Sequence, residues 1–366
     1  MTREGLAIWP VGIGWIMVQR DVMWGELRTH GLMGVGALLW WVLDLPLAWM
    51  LGPATVGLVF AMRNRPVTRD RFFGDIGRGL LGVAIGATIT GQHFIWMAAH
   101  PELLAGLVVY VGLAGFIGFL WLYRVCRWDA TTAWFSAFPG GLSEMIASVQ
   151  HFGGNVSRVA LAHSLRVFCL VAGASVVSRL FAGVNTGDLS FGEVSWAIQP
   201  WTAVAILSGI WLGRRLKVPA PTFMGPLIVS LALNLIFGIV LRLPDILMII
   251  GQYFIGWSIA ARFIGVTREE VTRTLKQVFV SLLSMVPVWF GVAFMLDSWT
   301  EVDLQSLILG FAPGGQAEVA LLAIAMDANM AVVMLLHVFR VFLIISFGSM
   351  VFVMIRKHLK RALPET

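Results

Sequence analysis

Long apolar segments separated by short polar ones run along almost the whole chain. In the first half they occupy residues 31–43, 47–62, 79–91, 103–123, 131–149 and 159–181. In the second half they occupy residues 196–213, 220–241, 246–261, 278–296, 304–326 and 330–355. Many of these runs approach the roughly 20 residues that a helix needs to cross a bilayer. The pattern predicts an all-α, polytopic integral membrane protein.

The two series of apolar runs have the same order and similar lengths, which indicates an internal duplication. An offset of 174 residues superposes Pro139-Gly140-Gly141 on Pro313-Gly314-Gly315 without a gap. The same offset aligns polar positions that chance matching of apolar helices would not bring together: Glu144 with Glu318, Asn155 with Asn329, His163 with His337, and Arg166 with Arg340. The chain is therefore predicted to contain two copies of one membrane repeat.

Loop charges predict how the two repeats are oriented. Basic residues concentrate in four places that the positive-inside rule assigns to the cytoplasm: 63–78, 214–217, 262–276 and 356–361. The loop 297–303 carries acidic residues without a base, and we place it outside. These assignments agree only if each Pro-Gly-Gly segment turns back as a broken or re-entrant hairpin. Each repeat then crosses the membrane about five times, an odd number, so the second repeat is predicted to be inverted.

This topology divides the chain into five regions. We predict an N-terminal interfacial segment, a first membrane repeat, a linker, a second membrane repeat and a basic cytoplasmic tail, over residues 1–30, 31–182, 183–195, 196–355 and 356–366.

Composition agrees with a membrane protein and excludes several other classes. With 58% apolar and 13% charged residues and a mean hydropathy of +0.84, the chain cannot be a single soluble domain. The net charge of +6 lies in short clusters between apolar runs, so we predict no nucleic-acid partner. The two cysteines, Cys126 and Cys169, provide neither a disulfide framework nor a cysteine metal site.

The duplicated motif has the chemistry of a binding site. Proline followed by two glycines breaks a helix, and a helix that restarts near Leu142 leaves free N–H groups and a positive dipole end at membrane depth. Ionisable residues at that depth are costly and usually functional. The candidate substrate-binding residues are therefore Pro139, Gly140, Gly141, Glu144, His163 and Arg166, with Pro313, Gly314, Gly315, Glu318, His337 and Arg340.

Structural roles for the same residues stay open. The glycines would also allow close helix packing. Asn155 and Asn329 are more typical of helix caps than of ligands. Glu144 with Arg166, and equally the pair in the second repeat, could form ion pairs that fix each hairpin to the next helix.

A family resemblance is carried by these motifs. The segment from Thr132 to Met145, with His163-Ser164-Leu165-Arg166, resembles the duplicated motif of the bacterial AbrB membrane protein family, also labelled ammonia monooxygenase. The second copy is similar but departs from the first at Gln316-Ala317 and Val319. The family's names imply regulation of gene expression or ammonia oxidation. The resemblance also implies a multi-pass protein of the bacterial inner membrane, and the loop charges place its C-terminus in the cytoplasm.

The sequence leaves three classes of function open. A secondary transporter that moves a small anionic solute by ion- or proton-coupled alternating access agrees best with inverted repeats and broken helices. A membrane-embedded sensor that binds a ligand without moving it, and so regulates gene expression, is the alternative. A monooxygenase would need clustered metal ligands, which two His-x-x-Arg motifs supply poorly. We therefore predict no enzyme activity, no cofactor and no metal; the predicted partners are a small solute or ion, the lipid bilayer and, in a homo-oligomer, further copies of the chain.

Overall fold

A computed structural model of the chain describes residues 28–43, 45, 47–63, 71–177, 200–263 and 266–362. Most of the N-terminal segment predicted over 1–30, and the whole linker predicted over 183–195, lie outside the described residues. The predicted tail over 356–366 is described as far as residue 362, where it continues the last helix.

Every regular element in the described ranges is helical. In chain order the α-helices are α1 (28–42), α2 (Ala48–Met62), α3 (Arg71–Thr88), α4 (Gly91–Ala99), α5 (Pro101–Leu120), α6 (Ala130–Ala137), α7 (Leu142–His151), α8 (Val156–Val177), α9 (Pro200–Arg215), α10 (Pro221–Phe237), α11 (Asp245–Ala260), α12 (Arg268–Asp297), α13 (Leu304–Phe311), α14 (Gln316–Ala325), α15 (Met330–Leu343) and α16 (Ser349–Ala362).

Several helices are long and apolar enough to cross a membrane, as the sequence predicts. Among the described residues there are five such segments, and a sixth if α3 and α4, bent by 76° at their junction, count as one. The five are Pro101–Val125, Val156–Ala174, Asp245–Phe263, Arg268–Asp297 and Met330–Arg356. The chain therefore has the helices of a multi-pass membrane protein.

α12 begins ten residues before the apolar run predicted over 278–296. Its start is fixed by a capping residue, because the Thr267 side chain accepts a hydrogen bond from the backbone N–H of Glu270 at 3.2 Å. Glu269 and Glu270 in the first turn add a favourable interaction with the helix dipole. Local capping chemistry therefore extends the helix beyond its apolar part.

The duplication is visible in how helices pack. α1 and α2 cross at Gly36 and Gly52, where a Cβ on Gly36 would lie 2.8 Å from the carbonyl oxygen of Gly52. α9 and α10 cross at Gly209 and Gly225, which follow the first pair at an offset of 173 residues. Only glycine allows backbones to approach this closely. Both repeats therefore build the same helix crossing from the same positions.

Contacts between the repeats are reciprocal. α2 packs against α11 while α3 packs against α10, and α5 packs against α15 while α12 packs against α8. In each case the repeat offset converts one pair into the other. An approximate two-fold relation between the repeats has this property.

The equivalent helices α3 and α11 pack against each other and run in opposite directions. A Cβ on Gly74 would lie 2.8 Å from the Cβ of Ser258, and one on Gly77 would lie 2.9 Å from the Cβ of Phe254. Later residues of α3 thus meet earlier residues of α11, so the two helices run antiparallel.

The helices form two bundles, and each bundle contains elements of both repeats. α1–α3 and α9–α11 form one, which we call the outer bundle. α5–α8 and α12–α16 form the other, which we call the hairpin bundle. The predicted division into 31–182 and 196–355 describes the duplicated sequence, whereas the packing interleaves the two halves.

Each Pro-Gly-Gly break joins two short helices that form a hairpin. The backbone N–H of Asn155, beyond the end of α7, donates to the hydroxyl of Thr132 in the first turn of α6 at 2.8 Å. The backbone N–H of Asn329 donates to Ser306 in the same way at 2.7 Å. The chain therefore returns to where each hairpin began, as the predicted turn requires.

Asn155 and Asn329 also cap the helices that follow, as the structural alternative predicts. The Oδ1 atom of Asn155 accepts from the N–H of Arg158 at 2.9 Å, and that of Asn329 accepts from the N–H of Val332 at 3.2 Å. Both side chains are thus occupied at helix N-termini.

Candidate functional site

Arg166 on α8 holds the end of the first half of its hairpin. Its side chain is buried, and Nη1 donates to the carbonyl oxygens of Ser136 at 3.2 Å and Ala137 at 2.9 Å. Nη2 donates to the carbonyl oxygen of Phe138 at 3.2 Å. These are carbonyls at the C-terminal end of α6, which helix geometry leaves without partners. A cation there also stabilises the negative end of the helix dipole.

Arg340 does the same in the second repeat. It is 1% exposed, and it donates from Nη1 to the carbonyl oxygen of Ala312 and from Nη2 to that of Gly314, the latter at 2.8 Å. The two buried guanidinium groups therefore close the last turns of α6 and α13 across the two breaks.

The histidines of the motif orient these arginines. Nε2 of His163 lies 2.8 Å from the carbonyl oxygen of Phe135, and Nδ1 lies 2.8 Å from Nη2 of Arg166. His337 has the same two partners in the second repeat, Leu309 at 3.0 Å and Arg340 at 3.1 Å. A carbonyl can only accept and an arginine can only donate, so each ring carries its proton on Nε2 and is neutral.

The predicted ion pairs between Glu144 and Arg166, and between Glu318 and Arg340, are absent, and that alternative is wrong. In the described part of the chain the resolved ion pairs join Asp75 to Arg78 and to Arg214. The physical reason is the hairpin itself, because the helix ends supply carbonyl oxygens closer to each guanidinium than its glutamate.

Glu144 instead contacts the outer bundle. Its Oε1 atom accepts from the backbone N–H of Ala220 at 2.8 Å, at the start of α10. Ala220 has a left-handed backbone with φ 44°, which is costly for alanine and turns its N–H toward the hairpin. The other oxygen, Oε2, is buried without a hydrogen-bond partner among the described residues.

The second glycine of each motif makes room for a carboxylate. A Cβ on Gly141 would meet Oε2 of Glu144, and one on Gly315 would meet Oε2 of Glu318. Each glutamate lies in the first turn of its helix and folds back over the helix N-terminus. The second glycine therefore has two roles. It helps to interrupt the helix, and its lack of a side chain leaves space for the carboxylate of the glutamate three residues later.

A cavity of about 590 Å³ brings the two hairpin tips together. It is lined by ten of the twelve predicted site residues: Gly140, Gly141, Glu144, His163, Arg166, Pro313, Gly314, Gly315, Glu318 and Arg340. Pro139 and His337 are buried behind its wall and do not line it. The two copies of the motif thus face one space between the hairpin bundle and the outer bundle.

The outer bundle supplies residues that the sequence pattern misses. Arg78 donates to Thr222 at 3.0 Å, to Ser258 at 2.9 Å and to Asp75 at 2.6 Å, and so joins α3, α10 and α11. Arg214 of α9 donates to the other oxygen of Asp75 at 2.6 Å. All five line the cavity. In the sequence these charges fall at the edges of loops, where they indicate only membrane orientation.

Arg262 is a further cation of the cavity wall. It follows α11 in a short 3₁₀ turn and lines the same cavity as Glu318. Among the described residues it makes no hydrogen bond or ion pair within contact distance, unlike the four other arginines of the wall. Its position at the end of an apolar run is the one signal that could have identified it.

Besides Oε2 of Glu144, three more buried polar atoms near the cavity lack hydrogen-bond partners in the described ranges. They are the hydroxyl of Tyr110 and the Nε atoms of Arg166 and Arg340. The ring of Tyr110 on α5 packs edge-on against that of Phe311 on α13, with ring centres 5.9 Å apart, so Tyr110 lies between the two repeats. An unpaired buried donor costs about 1–3 kcal/mol, so a water, an ion or a ligand that reached these atoms would stabilise this region.

The described part of the chain contains no group of three or more His, Cys, Asp or Glu side chains arranged to hold a metal ion.

Comparisons with known proteins identify relatives of similar length. A protein of Escherichia coli named "Putative regulator AbrB" is 28% identical over 334 residues, which is 89% of this chain and 94% of that protein. The Bacillus subtilis "Uncharacterized protein YhjN" is 24% identical over 357 residues, 88% of this chain and 90% of that protein. No solved structure matches the chain significantly. A family model described as "Transition state regulatory protein AbrB" matches residues 49–356, most of the chain, so the chain belongs to the AbrB family.

Proposed function

We propose that this protein is a secondary transporter of a small anionic solute, and that the cavity between the two hairpin tips is its binding site. The observation that carries the proposal is the charge of the cavity wall. Five arginines face three carboxylates there, an excess of two positive charges. Two helix N-termini, those of α7 and α14, add positive dipole ends.

Within this site Arg262 is the residue that binds the solute. Arg78, Arg166 and Arg340 each make three or four hydrogen bonds to carbonyl, hydroxyl, carboxylate or imidazole partners. Arg214 is 59% exposed and pairs with Asp75, so these four attract an anion mainly through their charge. Arg262 keeps its donors for a ligand. A carboxylate or a phosphate accepts two parallel N–H groups from one guanidinium.

The packing supports alternating access. Equivalent helices α3 and α11 run antiparallel, as they would if the second repeat is inverted in the membrane. The cavity wall includes Arg78, Arg214 and Arg262, which belong to the basic segments assigned to the cytoplasm. We therefore infer a cytoplasm-facing state of a bacterial inner-membrane protein with a cytoplasmic C-terminus. Assembly into homo-oligomers stays a prediction.

Coupling to protons would use the glutamates. Oε2 of Glu144 is buried without a hydrogen-bond partner among the described residues, and Glu318, which is 6% exposed, lines the cavity together with Arg262. Buried carboxylates of this kind are typical proton carriers in transporters.

The test measures solute entry directly. Purified protein in liposomes is given radiolabelled acetate, lactate, succinate, phosphate or sulfate, with and without an imposed pH gradient. We expect saturable uptake of at least one of these anions over empty liposomes. Arg262→Gln should abolish most of it, whereas Arg242→Gln, an exposed arginine outside the cavity, should not. Unchanged uptake in Arg262→Gln would overturn the site assignment, and no uptake of any of the five would overturn the anion assignment.

The name of the Escherichia coli relative favours one other function, a regulator that binds a ligand without moving it. Thermal melting of the same protein with the same five anions separates the two. A rise in melting temperature with one anion, combined with no uptake of it, would identify a receptor.

A further inference from the structure

A second cavity lies at the other end of α3 and α14. Its volume is about 260 Å³. It is lined by the C-terminal part of α3 and by the end of α14 with the turn that follows, including Ala84, Ile85, Thr88, Ala323, Ile324 and Asp327. The first cavity borders the opposite ends of the same helices, at Asp75 and Arg78 of α3 and at Gln316 to Glu318 of α14.

Only a short stretch of α14 separates the two cavities. Glu318 faces the first and Ala323 faces the second, which at 1.5 Å per residue is a separation of about 7.5 Å along the helix. The four residues between them, Val319 to Leu322, are all 0% exposed. The barrier is therefore a little more than one helical turn thick.

The two hairpins are packed differently although their sequences are equivalent. α14 packs against α3 and α8, but the equivalent pairs, α7 with α11 and α7 with α15, are not among the closely packed helices of the described part of the chain. The first eight residues of α14 are buried, whereas in α7 the buried residues with apolar side chains are Met145 and Val149. In this conformation the second hairpin therefore makes packing contacts that the equivalent first hairpin does not make.

We infer that the second cavity is the opposite mouth of the solute pathway, and that α14 is the closed gate between the two mouths. In the alternate state α14 leaves α3 and α8, while α7 packs against α11 and α15. This inference rests on the proposed transport function and describes the route of the solute through the protein. The route runs along α3, from Arg78 past α14 to Thr88.

Cysteine labelling in membranes tests this arrangement without knowledge of the solute. Single cysteines replace Ile146, Ala320 and Ile324 in a background with Cys126→Ser and Cys169→Ser, and an impermeant maleimide is applied to intact cells or to inverted vesicles. Ile324 lines the second cavity and is half-buried, whereas its neighbour Ala323 is fully buried. Ile146 lines the first cavity and Ala320 is its equivalent at the offset of 174 residues, so they form a matched pair.

Ile146→Cys should label from the cytoplasmic side and Ile324→Cys from outside. Ala320→Cys should label from either side at least about tenfold more slowly, because the alternate state of a two-state protein is typically populated at 10% or less. Labelling after denaturation in detergent checks that every cysteine is reactive. If Ile324→Cys fails to fold, Thr88→Cys, an exposed position of the same cavity, replaces it.

Labelling of Ile324→Cys from the cytoplasmic side, no labelling of it in native membranes, or fast labelling of Ala320→Cys would overturn the inference. Failure of the transport proposal looks different. The expected labelling pattern without any anion uptake would count against transport, whereas uptake with the wrong labelling pattern would count against this route.

Discussion

Replacing Arg166 tests the hydrogen bonds that hold the first hairpin closed. Arg166 donates to three backbone carbonyls and to Nδ1 of His163, and it makes no ion pair with Glu144. Arg166→Gln removes these donors, because glutamine is two atoms shorter and carries only two N–H groups. Glu144→Gln keeps an acceptor for the N–H of Ala220 and should be nearly neutral.

The expected magnitudes follow from these contacts. Each buried acceptor left without a donor costs about 1–3 kcal/mol, and removing a buried charge recovers part of that, so Arg166→Gln should lower the free energy of unfolding by about 3 kcal/mol. The double variant with Glu144→Gln should equal the sum of the single variants to within about 0.5 kcal/mol. An ion pair would instead couple the two changes by about 0.5–3 kcal/mol.

These four proteins, the wild type, the two single variants and the double variant, form a double-mutant cycle. Their free energies of unfolding are measured by reversible unfolding in mixed micelles. Arg158→Gln on the same helix is the matched control. Its guanidinium lies 5.2 Å from the ring centre of Trp128, a contact worth about 0.5–1 kcal/mol. A coupling above about 1 kcal/mol between positions 144 and 166, or a loss in Arg166→Gln no larger than that of the control, would refute the carbonyl-brace reasoning.

Three further predictions concern stability and are checked by thermal melting in detergent. Gly225→Ala should cost about 2 kcal/mol, since its Cβ would meet the backbone of Gly209, whereas Gly291→Ala has open space and should be neutral or stabilising; equal effects would contradict this. Asp327→Gly should stabilise by about 0.5 kcal/mol because Asp327 has φ 54°, and a clear loss would count against that strain. Asn329→Ala should cost about 1 kcal/mol while Asn329→Asp keeps the cap; an equal loss in both would be unexpected.

The hairpins could be predicted from the sequence because their signals are local. A proline followed by two glycines interrupts a helix wherever it occurs, and the same interruption at a constant offset identifies the repeat. The first helical residues after the breaks, Leu142 and Gln316, lie where the break predicts. The long membrane helices could also be predicted from the sequence, because each corresponds to a continuous apolar run.

The partners inside the site could not be predicted, because they are set by tertiary contacts. One alternative pairs Arg166 with the carboxylate of Glu144, but its partners are backbone carbonyls. Every residue has a backbone carbonyl, so the sequence of side chains does not indicate which ones an arginine will bind. Arg78 and Arg262 look like loop charges from their sequence neighbours. They face the cavity only because α3, α10 and α11 pack together around it.

The two imidazole rings have a consequence for redox and proton chemistry. In each ring the Nε2–H group donates a hydrogen bond to a backbone carbonyl, and the lone pair of Nδ1 accepts one from an arginine N–H. A copper or iron ion needs a free lone pair, and a proton arriving at Nδ1 would meet an N–H group already there. Neither His163 nor His337 can therefore ligate an oxidation catalyst or relay a proton unless its hairpin first comes apart.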